Sequence, residues 1–384
     1  MVVSLVLSVL VLALAGGNLL PAGTNTATLV AASVWGWIGP HLVVVALVAF
    51  AISLPAVVRW RTWRTVLVAS MSVVAIAASA TIVGSITLAA NAAGGAVDPV
   101  SALVLAGGTP GPDRDVVFEV VEGQELHSLV YEPDLVSDAP VLLYIHGGGW
   151  VGGDASEGVT MASEYAKRGW LAMSVDYRIA TPQQDAWAAA PADVGCALTW
   201  AAGYAAELGA DPRRIVVMGD SAGGNLALNL GWSAAVGQAA SSCPELGKVP
   251  VPQAVVASYP VANPQYAYDE GRTWFFDQTP NDFTDTYLGG TPSEFPERMH
   301  GISPSTYASV SSPPTLIVQP ERDDFVPAAG NYELVKAARG AGVDITLVKI
   351  PFTHHAFDIL PGSLGFQAKH TTAQAWLAAS GLAP

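Results

Sequence analysis

The first hundred residues of this chain are nearly free of charge: up to position 100 the only charged side chains are Arg59, Arg61, Arg64 and Asp98. Three apolar stretches lie there, at 2–20, roughly 33–58, and 66–90. As a helix rising about 1.5 Å per residue, each is long enough to cross about 30 Å of hydrocarbon. Gly39 and Pro40 interrupt the second and leave 42–58 as its unbroken core; Pro40 then falls near a helix start, where a missing N–H costs little. Three such runs with so few charges are rare among the buried helices of soluble proteins. The chain is therefore expected to open with a bundle of about three transmembrane helices, residues 1–90. His41, at an edge, is the one ionisable group within the spans, so the bundle reads as an anchor and not as a transport path.

The link Arg59-Trp60-Arg61-Thr62-Trp63-Arg64 holds every basic residue of this half, and the positive-inside rule places it in the cytoplasm. The third helix then exits. Everything after about residue 91 is expected on the extracytoplasmic side of the cell membrane, in a multi-pass protein. Trp60 and Trp63 suit the inner headgroup layer, and Trp35 and Trp37 the outer one, because amphipathic rings favour interfaces. The first stretch can alternatively be a cleaved signal peptide ending near Ala15-Gly16-Gly17, with the same orientation for the rest.

Residues 91–114, rich in Ala, Gly and Pro, read as a linker, and 115–384 as a soluble domain. The chain carries 32 acidic against 17 basic residues, and all the acidic ones lie from Asp98 onward. Such a surface repels phosphate arrays, so no nucleic-acid partner is expected. Cys196 and Cys243 are too few for a disulfide framework and are not spaced as a zinc motif; if the domain is exported a single bridge between them stays open, and otherwise they read as two buried thiols.

In the soluble part, apolar runs at 116–121, 126–131, 141–145, 171–175, 215–218, 254–258, 315–318 and 345–350 alternate with helical stretches at 157–168, 184–208, 222–236, 330–341 and 364–379. Most of the short runs are continuous, without the alternation of a half-exposed strand. That predicts an α/β fold with a mostly parallel central sheet and helices on both faces. The stretch 261–305 breaks the rhythm. It is rich in Pro and Asp and carries Tyr266, Tyr268, Trp274, Phe275, Phe276, Phe283, Tyr287 and Phe295, the composition of a lid-like insertion or pocket wall.

Chemistry concentrates in four places. Gly219-Asp220-Ser221-Ala222-Gly223-Gly224 is a G-x-S-x-G sequence directly after one strand and directly before an alanine-rich helix, the context in which the motif projects a nucleophilic hydroxyl. His146-Gly147-Gly148-Gly149-Trp150 follows another strand; its glycines permit close backbone approach, so the N–H groups of Gly148 and Gly149, with that of Ala222, are candidate oxyanion donors. His146 reads as structural. A serine needs a base and an orienting carboxylate. The loop after 315–318 offers Asp323, with Asp324 and Glu321 as competitors, and the loop after 345–350 offers His354 or His355, of which the spare is expected to be solvated or on the substrate side. His41, His127, His300 and His370 lack such placement.

Together, His146 to Trp150, Asp176-Tyr177-Arg178, Gly219 to Gly224, Asp323 to Pro327 and His355-Ala356-Phe357 resemble the hormone-sensitive-lipase-like esterases of the α/β-hydrolase superfamily, over about residues 115–380. The resemblance implies Ser221 as nucleophile, Asp323 as the acid of an Asp-x-x-Val-Pro pattern and His355 as the base of a His-x-Phe pattern. It also implies an oxyanion hole from Gly148, Gly149 and Ala222, and makes Asp176-Tyr177-Arg178 a structural element after a strand. The family's lid usually lies at the front of the domain; here the anchor and linker precede it, and the insertion at 261–305 is expected to do more of that work. The expected activity is that of a membrane-anchored serine carboxylic ester hydrolase acting through an acyl-enzyme on a small-molecule or lipid ester, without metal or organic cofactor. The alternatives are a catalytically idle hydrolase fold used for binding, or a serine peptidase or acyltransferase on the same fold.

Overall fold

A computed structural model of the chain describes residues 1–21, 24–273 and 278–384. Three helices come first: α1 (Val2–Gly17), α2 (Thr26–Trp60) and α3 (Trp63–Ala92). Asn25 and Thr28 form a capping box at the start of α2, and the Thr62 hydroxyl caps α3. Then follow β1 (Arg114–Val121), β2 (Gln124–Tyr131), β3 (Val141–Ile145), α4 (Val159–Ala166), β4 (Leu171–Val175), α5 (Ala189–Leu208), β5 (Ile215–Asp220), α6 (Ala222–Ala235) and β6 (Ala254–Ser258). The chain continues through α7 (Pro264–Glu270), α8 (Pro280–Leu288), α9 (Pro296–Ile302), β7 (Thr315–Pro320), α10 (Ala328–Gly340), β8 (Ile345–Ile350) and α11 (Leu364–Ala379).

The chain divides into two compact units. One comprises Met1–Gly107, Pro320–Asp324 and Val348–Trp376; the other Gly108–Gln319, Phe325–Leu347 and Leu377–Pro384. The eight strands form one sheet in the order β1-β2-β4-β3-β5-β6-β7-β8. β1 and β2 are antiparallel to each other and β2 to β4, whereas β3 pairs parallel with β4 and with β5, β5 with β6, and β6 with β7. Every residue of β3, β4, β5 and β6 is buried, which is why these strands read as unbroken apolar runs. The order reverses at β3: the chain steps from β3 to β4 on one side, then returns past β3 to β5. With right-handed crossovers, α4 lies on one face and α5 and α6 on the other, which opens a crevice at the carboxyl ends of β3 and β5.

Helix α5 begins at Ala189, five residues later than the sequence pattern predicts. Thr181 and Gln184 instead form an isolated bridge, and Pro191 sits in the first turn of the helix, where it forfeits no hydrogen bond. The insertion at 261–305 holds the three short helices α7, α8 and α9, each opened by a proline. Trp274, Phe275 and Phe276 of the expected lid lie outside the described residues. Cys196 on α5 and Cys243 form a disulfide.

In the other unit, α1 meets α2 and α3 along small residues: the Ser4 hydroxyl donates to the Ala49 carbonyl at 2.7 Å, and the Ser8 and Ser72 hydroxyls are 2.8 Å apart. Large apolar side chains such as Val44, Leu47, Val48, Ile52, Val73 and Val74 are exposed. Two described helices, α2 and α3, are long and apolar enough to cross a membrane; α1, with 16 residues, reaches about 24 Å and is shorter than the expectation of three spans requires. The stretch read as a linker is hydrogen-bonded along its first part, Ala96 N–H to the Thr371 hydroxyl and Ala106 N–H to the Pro361 carbonyl, each at 2.9 Å.

Candidate active site

Ser221 is the turn between β5 and α6. Its backbone takes φ 55° and ψ −119°, a strained conformation for a residue with a side chain, and its carbonyl accepts from Asn225 N–H at 3.0 Å. Two glycines make the bend possible: a Cβ on Gly219 would lie 2.3 Å from the Gly223 carbonyl oxygen, and one on Gly223 would lie 2.2 Å from the carbonyls of Ile145 and His146. The elbow thus presses against the end of β3. Ser221 itself is 8% exposed.

The glycine loop after β3 lies alongside, since a Cβ on Gly147 would come 3.5 Å from that of Ser221. Gly148 has φ +91°, and any side chain there would strike the Gly152 carbonyl at 2.1 Å. Among the described residues, the N–H groups of Gly148, Gly149 and Ala222 donate to no backbone carbonyl. The loop's other face is tied down: Tyr177 Oη donates to the Gly147 carbonyl at 2.9 Å and to that of His146 at 3.2 Å, while its ring stacks on the His146 imidazole with centroids 4.2 Å apart. His146 is fully buried, and burial lowers its pKa to about 4. It is neutral at physiological pH, consistent with the structural reading.

The neighbours of Tyr177 hold the same region. Asp176 accepts from the N–H groups of Ala155 at 2.7 Å and His127 at 3.0 Å, and Arg178 forks onto Asp193 of α5 with contacts of 2.7 and 2.9 Å. From the insertion, Phe283 of α8 abuts Gly149, where a Cβ would lie 2.6 Å from its ring, and Tyr287 stacks on Trp150 with centroids 4.5 Å apart. Asn225 escaped the sequence reading. Its side-chain amide donates to the carbonyls of Val261 and Ile302, the two ends of the insertion, at 2.8 and 2.9 Å. A polar Asn among Gly, Leu and Ala, one turn beyond Ser221, was the available signal, and the structure buries it fully.

In the other unit, Asp323 follows β7 and His355 follows β8, and His355 Nδ1 lies 2.8 Å from Asp323 Oδ2 with both side chains buried. His354 is not the solvated residue expected: it is fully buried, with Nε2 2.9 Å from Asp324 Oδ1. Two adjacent histidines meet two adjacent aspartates, so the competitor Asp324 is engaged by His354, and Glu321 is exposed.

A strand–turn–helix elbow bearing Ser221 after the fifth strand, beside a glycine loop after the third, defines an α/β-hydrolase, with the motifs of the hormone-sensitive-lipase-like esterases. Residues 129–337 match the BD-FAE family model, and the chain belongs to that family. Esterase LipC of Mycobacterium tuberculosis is 30% identical over 243 residues, 61% of this chain and 57% of LipC. Carboxylesterase NlhH of the same organism is 46% identical over 100 residues, 25% of this chain and 30% of NlhH. Against LipC, LipQ and LipM the chain spans 57%, 60% and 53% of the relative's length. Among solved structures, Thermogutta terrifontis esterase 2 phosphonylated by sarin superposes with a TM-score of 0.61 at 25% identity, covering 72% of this chain and 98% of that one.

Proposed function

We propose that the protein is a membrane-anchored serine carboxylic ester hydrolase working through an acyl-enzyme. In this scheme His355 takes the proton of the Ser221 hydroxyl as Oγ attacks the ester carbonyl, and the electron pair displaced onto the carbonyl oxygen is held by the N–H groups of Gly148, Gly149 and Ala222. Asp323 orients the imidazole. Collapse of the tetrahedral intermediate expels the alcohol, which leaves with the proton from His355; water, deprotonated by the same imidazole, then releases the acid and regenerates Ser221. The scheme calls on no metal or organic cofactor.

The observation that carries this reading is the strained backbone of Ser221 at the elbow, φ 55° and ψ −119°, beside a glycine loop with uncommitted N–H groups. The esterase relatives support the reaction class. A butyrate-bound structure of Thermogutta terrifontis esterase 2, 25% identical, favours a short acyl chain, and Phe283 against Gly149 supports α8 as a wall of the acyl site. The apolar surfaces of α2 and α3 support the anchor. The Arg59 to Arg64 link and the Cys196–Cys243 disulfide support a catalytic domain outside the cytoplasm, where disulfides persist.

Two measurements test the reading. A fluorophosphonate probe is expected to label the wild type, as the phosphonylated neighbour suggests, and to leave Ser221→Ala unmarked. Ser221→Ala is also expected to lose roughly 10³-fold or more of its turnover of p-nitrophenyl butyrate while remaining folded. Undiminished hydrolysis by that variant removes Ser221 from the reaction, and an unlabelled wild type favours an idle binding fold.

A further inference from the structure

The N-terminal helices touch the loop that carries His355. The Trp37 indole N–H donates to the Ala356 carbonyl at 2.8 Å, from a position 319 residues away in sequence. The buried Asn18 amide donates to the Phe352 carbonyl at 3.0 Å and to Ala31 of α2 at 3.1 Å. Gly36 lies flush against the same loop: a Cβ there would come 2.5 Å from the Phe357 carbonyl oxygen. The Arg322 guanidinium, one residue before Asp323, donates to the Leu20 carbonyl.

The two carbonyls so engaged belong to strained residues. Phe352 has φ +57° and Ala356 φ +52°, left-handed conformations that cost a residue with a Cβ about 1 kcal/mol or more and persist where the surroundings enforce them. They flank His355, one three residues before it and one directly after. Helix α2 is itself divided at this level. Ile38 has non-helical angles, φ −135° and ψ 22°, just ahead of Pro40. Before the kink, Leu29, Ala31, Ala32 and Trp35 are buried in protein; after it, Val44, Leu47, Val48, Ile52 and Val58 are exposed.

The geometry points to Trp37 and Asn18 as positioning residues for His355: the helices that look like a tether hold the base's loop in its strained form. The inference rests on reading His355 as the base. A side chain that acts through another in this way alters the geometry of proton transfer, and a displacement of about 1 Å can cost roughly a hundredfold in rate.

The experiment uses the full chain in lipid nanodiscs with p-nitrophenyl butyrate. Trp37→Phe keeps the ring and removes the donor; Gly36→Ala pushes on Phe357 independently; Trp60→Phe makes the same chemical change at the far end of α2. For Trp37→Phe and Gly36→Ala, kcat per folded molecule is expected to fall roughly ten- to a hundredfold, with KM within about twofold and a displaced pH profile of kcat/KM. Trp60→Phe is expected to match wild type. If both variants fold and keep kcat within about twofold, while His355→Ala is inactive, the positioning role is wrong and the base assignment stands. Wild-type turnover by His355→Ala overturns the base assignment instead. Should Trp37→Phe not fold, Gly36→Ala decides alone.

Discussion

His146 illustrates how burial of one imidazole sets a pH window. Unfolded, it titrates near 6.5; folded, desolvation brings it to about 4. Between these values the unfolded chain binds more protons, so the stability gained by keeping the ring neutral is complete above 6.5 and lost as pH falls toward 4. A shift of this size corresponds to about 3 kcal/mol at most. The urea midpoint of the wild type is expected to drop between pH 7 and pH 4.5, and that of His146→Gln to drop less. Equal slopes for the two proteins would exclude the assignment. At this scale the sequence was informative where a residue's partners follow from its own motif, as for Ser221 and Gly148. It was silent where the partner is remote. Trp35, beside an apolar span, has the signature of an interfacial anchor, yet it is fully buried, and nothing near Trp37 in sequence announces its bond to a loop at the other end of the chain. His354 looked like a spare because nothing local announces a second aspartate waiting for it.

Among the elements, the loop after β4 and helix α5 are joined by the Arg178–Asp193 fork. Asp193 is wholly buried and Arg178 nearly so; Glu122 also reaches Arg178, at 3.1 Å, from an exposed position. Removing the Asp193 carboxylate leaves the guanidinium with the exposed Glu122 as its charged partner and takes away the acceptor of the Arg178 N–H. Asp193→Ala is expected to lose about 2 kcal/mol in denaturant unfolding. Because Tyr177 adjoins Arg178 and grips the Gly147 carbonyl, turnover should fall as well; a variant as stable as wild type would show the fork to be dispensable. The central strands were readable because a strand buried on both faces is a short continuous apolar run, as Val141–Ile145, Leu171–Val175 and Ala254–Ser258 are. Helices α7, α8 and α9 were not. At seven to nine residues they are too short to develop a helical period, and their starts are fixed by proline at the first turn and, for α7 and α8, by side-chain caps.

For the whole molecule, the proposed anchor can be tested through the side of the membrane on which it would place the domain. With the Arg59 to Arg64 link inside, alkaline phosphatase fused after Pro384 is expected to be active and a cytoplasm-only reporter silent; the reverse pattern would invert the topology. The bridge between Cys196 and Cys243 bears on the same point, and sequence spacing alone could not establish it, since two cysteines 47 residues apart meet only if the fold brings their Cα atoms together, here to 5.3 Å. Ser221 lies between those cysteines, so the sulfur link closes a covalent ring around the segment that carries it. A protease that nicks the backbone anywhere inside this ring therefore releases no fragment until a reductant is added.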